Sequence, residues 1–155
     1  MRFAGKKIPL RRIKLIKYKF MTNQDCLFCQ IRDGKIPSRK IYEDEKVFAI
    51  LDINPVNPGH ALVITKDHFD DTASAPDEII CQVASVARKL GKVITAALGY
   101  PAFNIEANNG PEAGQIIMHT HWHVVPRSAD DGLRHWPGKP YAEGEADEIA
   151  NKINI

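Results

Sequence analysis

His119, His121 and His123 fall within five residues and alternate with Thr120 and Trp122. On a β-strand alternate side chains share a face, about 6.6–7 Å apart, so the three imidazoles form one row, with Thr120, Trp122 and Val124 facing the other way. A neutral imidazole nitrogen can attack phosphorus, and histidine titrates near about 6.5, so much of it is neutral at pH 7. The other ring nitrogen must be held by an acceptor if the attacking one is to keep its lone pair. His121, at the centre of the row, has neighbours on both sides for this. Just upstream, Asn108 to Gly114 is rich in Asn, Gly and Pro and reads as a loop able to offer backbone N–H groups to an anion. A loop of donors beside a histidine row points to chemistry on a phosphorylated compound.

Other readings of the same residues stay open. Two histidines at i and i+2 could bind a catalytic metal that keeps an open position for water. A nucleotide-binding regulatory module with incidental chemistry is a third class. Cys26 and Cys29 have the spacing of a zinc knuckle, which needs two further ligands. A redox pair is the rival, although no βαβ context surrounds it, and two buried apolar cysteines are also possible. His60 can be read as an ordinary turn histidine, and Asp52 as an acid ending a strand.

The elements that must position these residues follow from periodicity. Cys26–Arg32 reads as a turn and short helical piece. Lys40–Tyr42 and Lys46–Asp52 read as strands around the acidic turn Glu43-Asp44-Glu45. Ala61–Ile64 is a buried strand, Ala102–Glu106 another, and His68–Thr72 a short helical connection. One long helix is predicted from about Pro76 to Leu98. Its apolar positions Ile79, Ile80, Val83, Val86, Ala87, Leu90, Val93, Ile94 and Ala97 follow three- and four-residue steps. Ser74 or Ala75 should cap it, Pro76 suits its first turn and Gly99 its end. Cys81 is expected in its core face, and a last short helix is expected over Ala146–Ile153. Antiparallel strands with one major helix make an α+β domain.

The run His119-Thr-His-Trp-His123 followed by Val124 and Val125 resembles the signature of the histidine-triad, or HIT, nucleotide hydrolases and transferases. Cys26-Leu-Phe-Cys29, Leu51-Asp-Ile-Asn-Pro55, and Pro58-Gly-His60-Ala-Leu-Val-Ile64 with His68 beyond resemble the bacterial and Hint-type members. The resemblance covers roughly residues 25 to 127. It implies an antiparallel sheet of about five strands with one long helix, paired in a homodimer through a continuous sheet. It implies hydrolysis at the α-phosphate of adenosine-type nucleotides, phosphoramidates or dinucleoside polyphosphates, through a nucleotidyl group carried on His121. His123 and His60 match histidines that orient the site. Asn108, Gln115 and Asp52 match contacts to phosphate or ribose. His68 and His119 match the two ligands that would join Cys26 and Cys29 around a structural zinc ion, and no catalytic cofactor is expected. His123 stands where the transferase branch usually has glutamine, which favours hydrolysis. One departure is Ile116, where many Hint-like members carry a serine that helps protonate the leaving group. Either Ile116 faces the core and another group serves, or the leaving group needs little protonation.

At 155 residues with 44% hydrophobic content, one domain with a substantial core is expected. No apolar run approaches the length of a membrane span. Three cysteines fit a reducing cytoplasm better than a disulfide scaffold. The net charge of +2 conceals a division: residues 1–20 carry eight Lys or Arg and no acid, so the remainder is acidic. Charges interrupt every short apolar run there, so the segment lacks the continuous apolar core expected of a signal peptide. Residues 1–21 read as a disordered or adventitious extension and 22–155 as the domain. A purine nucleotide is the expected partner. Nucleic acid is not, since no DNA-binding domain accompanies the basic segment.

Overall fold

Val47-Phe-Ala-Ile50 and Ala61-Leu-Val-Ile64 lack the polar alternation of a half-exposed strand, as strands covered on both faces do. The computed structural model, which describes residues 25–134 and 136–153, places both inside a five-stranded antiparallel sheet. The strands are β1 (Lys40–Glu43), β2 (Val47–Leu51), β3 (Ala61–Thr65), β4 (Ala102–Glu106) and β5 (His121–Arg127), in spatial order β1-β2-β3-β5-β4. With helices α1 (Leu27–Arg32), α2 (Asp77–Leu98) and α3 (Glu145–Lys152), this is the α+β layout expected. The extension assigned to residues 1–21 lies outside the described residues.

Strand alternation sorts the apolar side chains into two cores. Val47, Ala49, Ala61, Val63 and Val124 meet Val83, Val86, Ala87, Leu90 and Ile94 of α2. Phe48, Ile50, Leu62 and Ile64 point to the opposite face, where Cys26, Phe28, Cys29 and Ile31 cover them. Each fully buried Val, Ile, Leu or Phe contributes about 1.5–3 kcal/mol relative to exposure, so both layers are needed. Gly91 lets α2 approach β4 closely: a Cβ there would sit within the Phe103 ring.

Helix α2 matches the expected span, and Gly99 closes it in the left-handed conformation (φ 76°). Its start differs. Pro76 is itself the N-terminal cap residue, while the Ser74 hydroxyl donates to the Asp71 carbonyl. Cys81 and Val93 are exposed rather than core, because the face meeting the sheet runs through Ile79, Val83, Val86, Leu90 and Ile94.

Two local expectations fail for one reason. His68–Thr72 is not helical, and β5 begins at His121 rather than His119. The carbonyls that a helical segment would use internally are taken from outside. The Thr120 hydroxyl donates to the Asp71 carbonyl at 2.6 Å, and the Gln115 amide donates to that of Asp70. The Thr120 N–H also bonds the Phe69 carbonyl at 2.6 Å, and the Trp122 indole donates to the Thr72 hydroxyl. Residues 68–72 are therefore pinned against the chain entering β5, and that chain turns before it can join the sheet.

Candidate active site

On β5, His121 lies opposite Ile64 and His123 opposite Leu62, so both imidazoles stand on the face away from α2 while Trp122 and Val124 face it. The ring centroids of His121 and His123 are 5.2 Å apart, and the Phe28 ring lies 5.0 Å from His121. The row thus has two members on the strand. The third, His119, belongs to the turn before it.

Proton positions follow from the fixed partners. His121 Nδ1 is 2.6 Å from the His119 carbonyl, which only accepts. The proton is therefore on Nδ1 and the lone pair on Nε2. The Val56 N–H, which only donates, reaches His60 Nδ1 at 3.2 Å. Neutral His60 then carries its proton on Nε2, which faces His123 Nδ1 at 2.9 Å. His123 is left with a proton on Nε2. Burial holds all three rings below the ordinary histidine range. It brings His123, which also feels His121 and His60, down to about 4. The Asp52 carboxylate opposes the shift in each ring.

A cavity of about 580 Å³ opens in front of these rings, bordered by His121, His123, Asp52 and Asn108 together with Phe28, Leu62 and other apolar side chains. Asp52 is held at its mouth by the Asn54 N–H at 2.8 Å. Gln115 is buried and does not border the cavity. Its oxygen accepts from the Gly110 N–H, and its amide donates to the Asp70 and Ile117 carbonyls. The donor loop is also more self-contained than its composition implies. The N–H groups of Gly110, Ala113, Gly114 and Gln115 all bond within it, around a short 3-10 turn at Pro111–Ala113.

His119 is directed into a second cluster. Its Nδ1 lies 3.3 Å from Cys26 Sγ and 3.6 Å from Cys29 Sγ, and His68 Nδ1 lies 3.4 Å from Cys29 Sγ. The four ligand atoms fall within 4.8 Å of one another. In a tetrahedron with arms of about 2.3 Å to sulfur and 2.1 Å to nitrogen, the S···N edge is about 3.6 Å, so the donor set fits a tetrahedral ion. The ring nitrogens turned away are oriented for it. His119 Nε2 donates to the Thr65 carbonyl at 2.7 Å, and His68 Nε2 faces Asp70 at 3.2 Å. Burial pushes the Cys29 thiol up to about 11, with the neighbouring Cys26 adding to it, so without a cation Cys29 keeps its proton. The other cluster with ligand spacing among the described residues is Asp52, His60 and His123. Spacing has no signal for that grouping, since 63 residues separate the two histidines; only the family resemblance set the three in one site.

A histidine-bearing strand set opposite the main helix, with a Cys/His cluster at its entry, defines a histidine-triad type of α+β domain. The HIT domain model matches residues 33–130, and the chain belongs to the HIT family. It is 40% identical over 109 residues to the adenylylsulfatase HINT3 of Arabidopsis thaliana, covering 70% of this chain and 55% of that protein. It is 36% identical over 134 residues to the adenosine 5'-monophosphoramidase hnt1 of Schizosaccharomyces pombe, covering 83% and 98%. Among solved structures, a HIT family protein from Bacillus anthracis aligns with a TM-score of 0.77 at 38% identity, covering 85% of this chain and 96% of that one. A zinc-bound histidine triad family protein from Mycobacterium smegmatis aligns at 0.69 and 38%, covering 73% and 82%.

Proposed function

We propose that this chain hydrolyses adenosine-type nucleotides at the α-phosphate through a nucleotidyl group carried on His121 Nε2. The observation that carries this is the 2.6 Å bond from His121 Nδ1 to the His119 carbonyl, which leaves Nε2 unprotonated. Nε2 bonds to phosphorus as the bond to the leaving group breaks, and the leaving group departs with that electron pair. The ring then bears positive charge, which the His119 carbonyl and the Asp52 carboxylate offset. Water next bonds to phosphorus, the P–N bond returns its electrons to Nε2, and the second proton of water passes to solvent. The His123 Nε2–H donates to a phosphate oxygen, with its proton position set through His60. Asp52 accepts from the ribose hydroxyls and Asn108 donates to phosphate. Gln115 reaches phosphate only by giving up one of its two carbonyl bonds. The two relatives named for adenylylsulfatase and monophosphoramidase activity support a nucleotide substrate.

Cys26, Cys29, His68 and His119 would hold a zinc ion, which joins α1 to the turn before β5 when bound. With four protein ligands the position is closed and the role structural. The outer edge of β4 pairs with the same edge of a second copy, extending the sheet. Light scattering should give a dimer mass that Ile105→Lys halves. Among the described residues no helix is long and apolar enough to cross a membrane. The test of the mechanism is rapid quenching without acid, followed by peptide mass spectrometry: the nucleotidyl group should map to the peptide containing His121. Its appearance on any other residue refutes the assignment.

A further inference from the structure

The loop from Ile53 to Gly59 carries the Val56 N–H on which the His60 proton position depends, yet it cannot hold itself in place. Pro55 and Pro58 have no N–H to give, and residues 53–56 are exposed. Among the described residues, the only hydrogen bonds that leave this loop beyond its flanks at Asp52 and His60 come from the Asn57 amide. Its two protons go to the Pro126 carbonyl at 2.7 Å and to Asp131 Oδ2 at 3.2 Å, while the Asn57 backbone carbonyl accepts the His60 N–H at 2.9 Å. The Asp131 side chain is only 3% exposed. Its other partners are local: Arg127 Nε at 2.6 Å and Nη2 at 3.2 Å, and the N–H groups of Ser128 and Leu133 at 3.2 and 3.0 Å. Those bonds close the turn after β5 without help. The contact to Asn57, 74 residues away in sequence, is the one that reaches toward the site.

We propose that Asp131 and Asn57 are positioning residues for His123, acting through the Val56 amide and the His60 ring. Neither borders the cavity. With a carboxylate and a carbonyl as its acceptors, the Asn57 side chain must turn its nitrogen to the end of β5 and its oxygen away. The loop is thereby anchored at one point, one residue from Val56. The Val56 N–H meets His60 Nδ1 at 3.2 Å, at the long end of such bonds, so a small retreat of the loop breaks it. His60 is then free to carry its proton on either nitrogen, and its Nε2 has a second partner within reach, the Asp52 carboxylate at 3.8 Å. A ring turned to Asp52 no longer donates to His123 Nδ1, and His123 loses the bond that keeps its own proton on Nε2. The inference goes beyond the hydrolase reading: the proton placement follows from these contacts whatever the substrate, and only its effect on turnover rests on that reading.

Proton–nitrogen correlation NMR of the histidine rings, recorded on the full chain near neutral pH, reads each tautomer directly. Turnover of adenosine 5'-monophosphoramidate is measured beside it, below the melting transition of every variant. In the unsubstituted protein His60 and His123 should each show one tautomer, protonated on Nε2. Asn57→Ala should convert both to mixtures and lower kcat about tenfold with little change in KM, since a displacement far from the reacting atoms costs rate. Asp131→Ala should shift the same two rings in the same way. Asn104→Ala removes an acceptor from Arg127 but keeps the Asp131–Asn57 contact, so it should leave tautomers and kcat unchanged. Single tautomers persisting in Asn57→Ala, or equal effects from Asn104→Ala, overturn the positioning role while leaving the hydrolase reading intact. Tautomers that respond as stated, in a protein that does not turn over the phosphoramidate, support the positioning role and count against the hydrolase reading alone.

Discussion

His60 Nε2 lies 2.9 Å from His123 Nδ1, and the Val56 N–H on the far side of the His60 ring determines which of the two nitrogens carries the proton. A backbone amide thus sets, through one intervening ring, the hydrogen that His123 presents to the cavity.

Replacing His60 by alanine should release that hydrogen. His123 can then rotate or change tautomer, and kcat should fall about 10- to 100-fold, as misorientation typically costs. Nucleotide affinity should change less, because the Asn54 N–H still holds Asp52 and the Asn108 side chain is unaltered. Steady-state kinetics beside equilibrium binding checks this, and an unchanged kcat would remove His60 from the positioning chain.

His121→Ala should abolish turnover, by about three orders of magnitude or more, as loss of a nucleophile does elsewhere. Binding should remain measurable, since no proposed binding contact depends on that ring. Wild-type turnover in this variant would end the covalent mechanism.

Purified without chelators, the chain should carry one zinc per copy by elemental analysis. Cys26→Ser should lower the melting temperature by roughly 10 °C, given that each kcal/mol moves a domain of this size about 2–4 °C. Turnover measured below the melting transition should fall far less. Metal-free protein of full stability would count against the cluster.

Acid should destabilise the fold in a defined window. The His123 ring is held down to about 4 by burial, whereas in the unfolded chain it titrates near about 6.5. Above about 6.5 neither state binds this proton and the contribution to stability is complete. As pH falls the unfolded chain takes up the proton first, so stability declines until about 4, where the folded ring protonates too. Melting curves from pH 7.5 to 4.5 should show this decline, and His123→Asn should make it shallower. An identical slope in the variant would contradict the shift.

Much of this arrangement was legible from residue order because alternation is local. Trp122 and Val124 fall opposite His121 and His123 as a strand dictates, and Val83, Val86, Leu90 and Ile94 mark the buried stripe of α2. What escaped depends on partners distant in sequence. Thr120 draws the carbonyls of Phe69 and Asp71 out of any helix, and the Gln115 amide is committed to the Asp70 carbonyl. Neither bond has a signature in composition. Cys81 was misplaced because cysteine is apolar by type, and its position on the helix turns it to solvent.

The two cores on opposite faces of the sheet have a bearing on how the purified material can be judged. A one-residue slip of β5 against β3 would swing His121 and His123 into the α2 core and put Trp122 where the nucleophile belongs. Two unpaired rings would be buried among aliphatics and an indole would fill the cavity, so such a species would be both unstable and inert. Misregistered chains therefore cannot contribute partial catalysis, and specific activity becomes a direct measure of the natively folded fraction in a preparation.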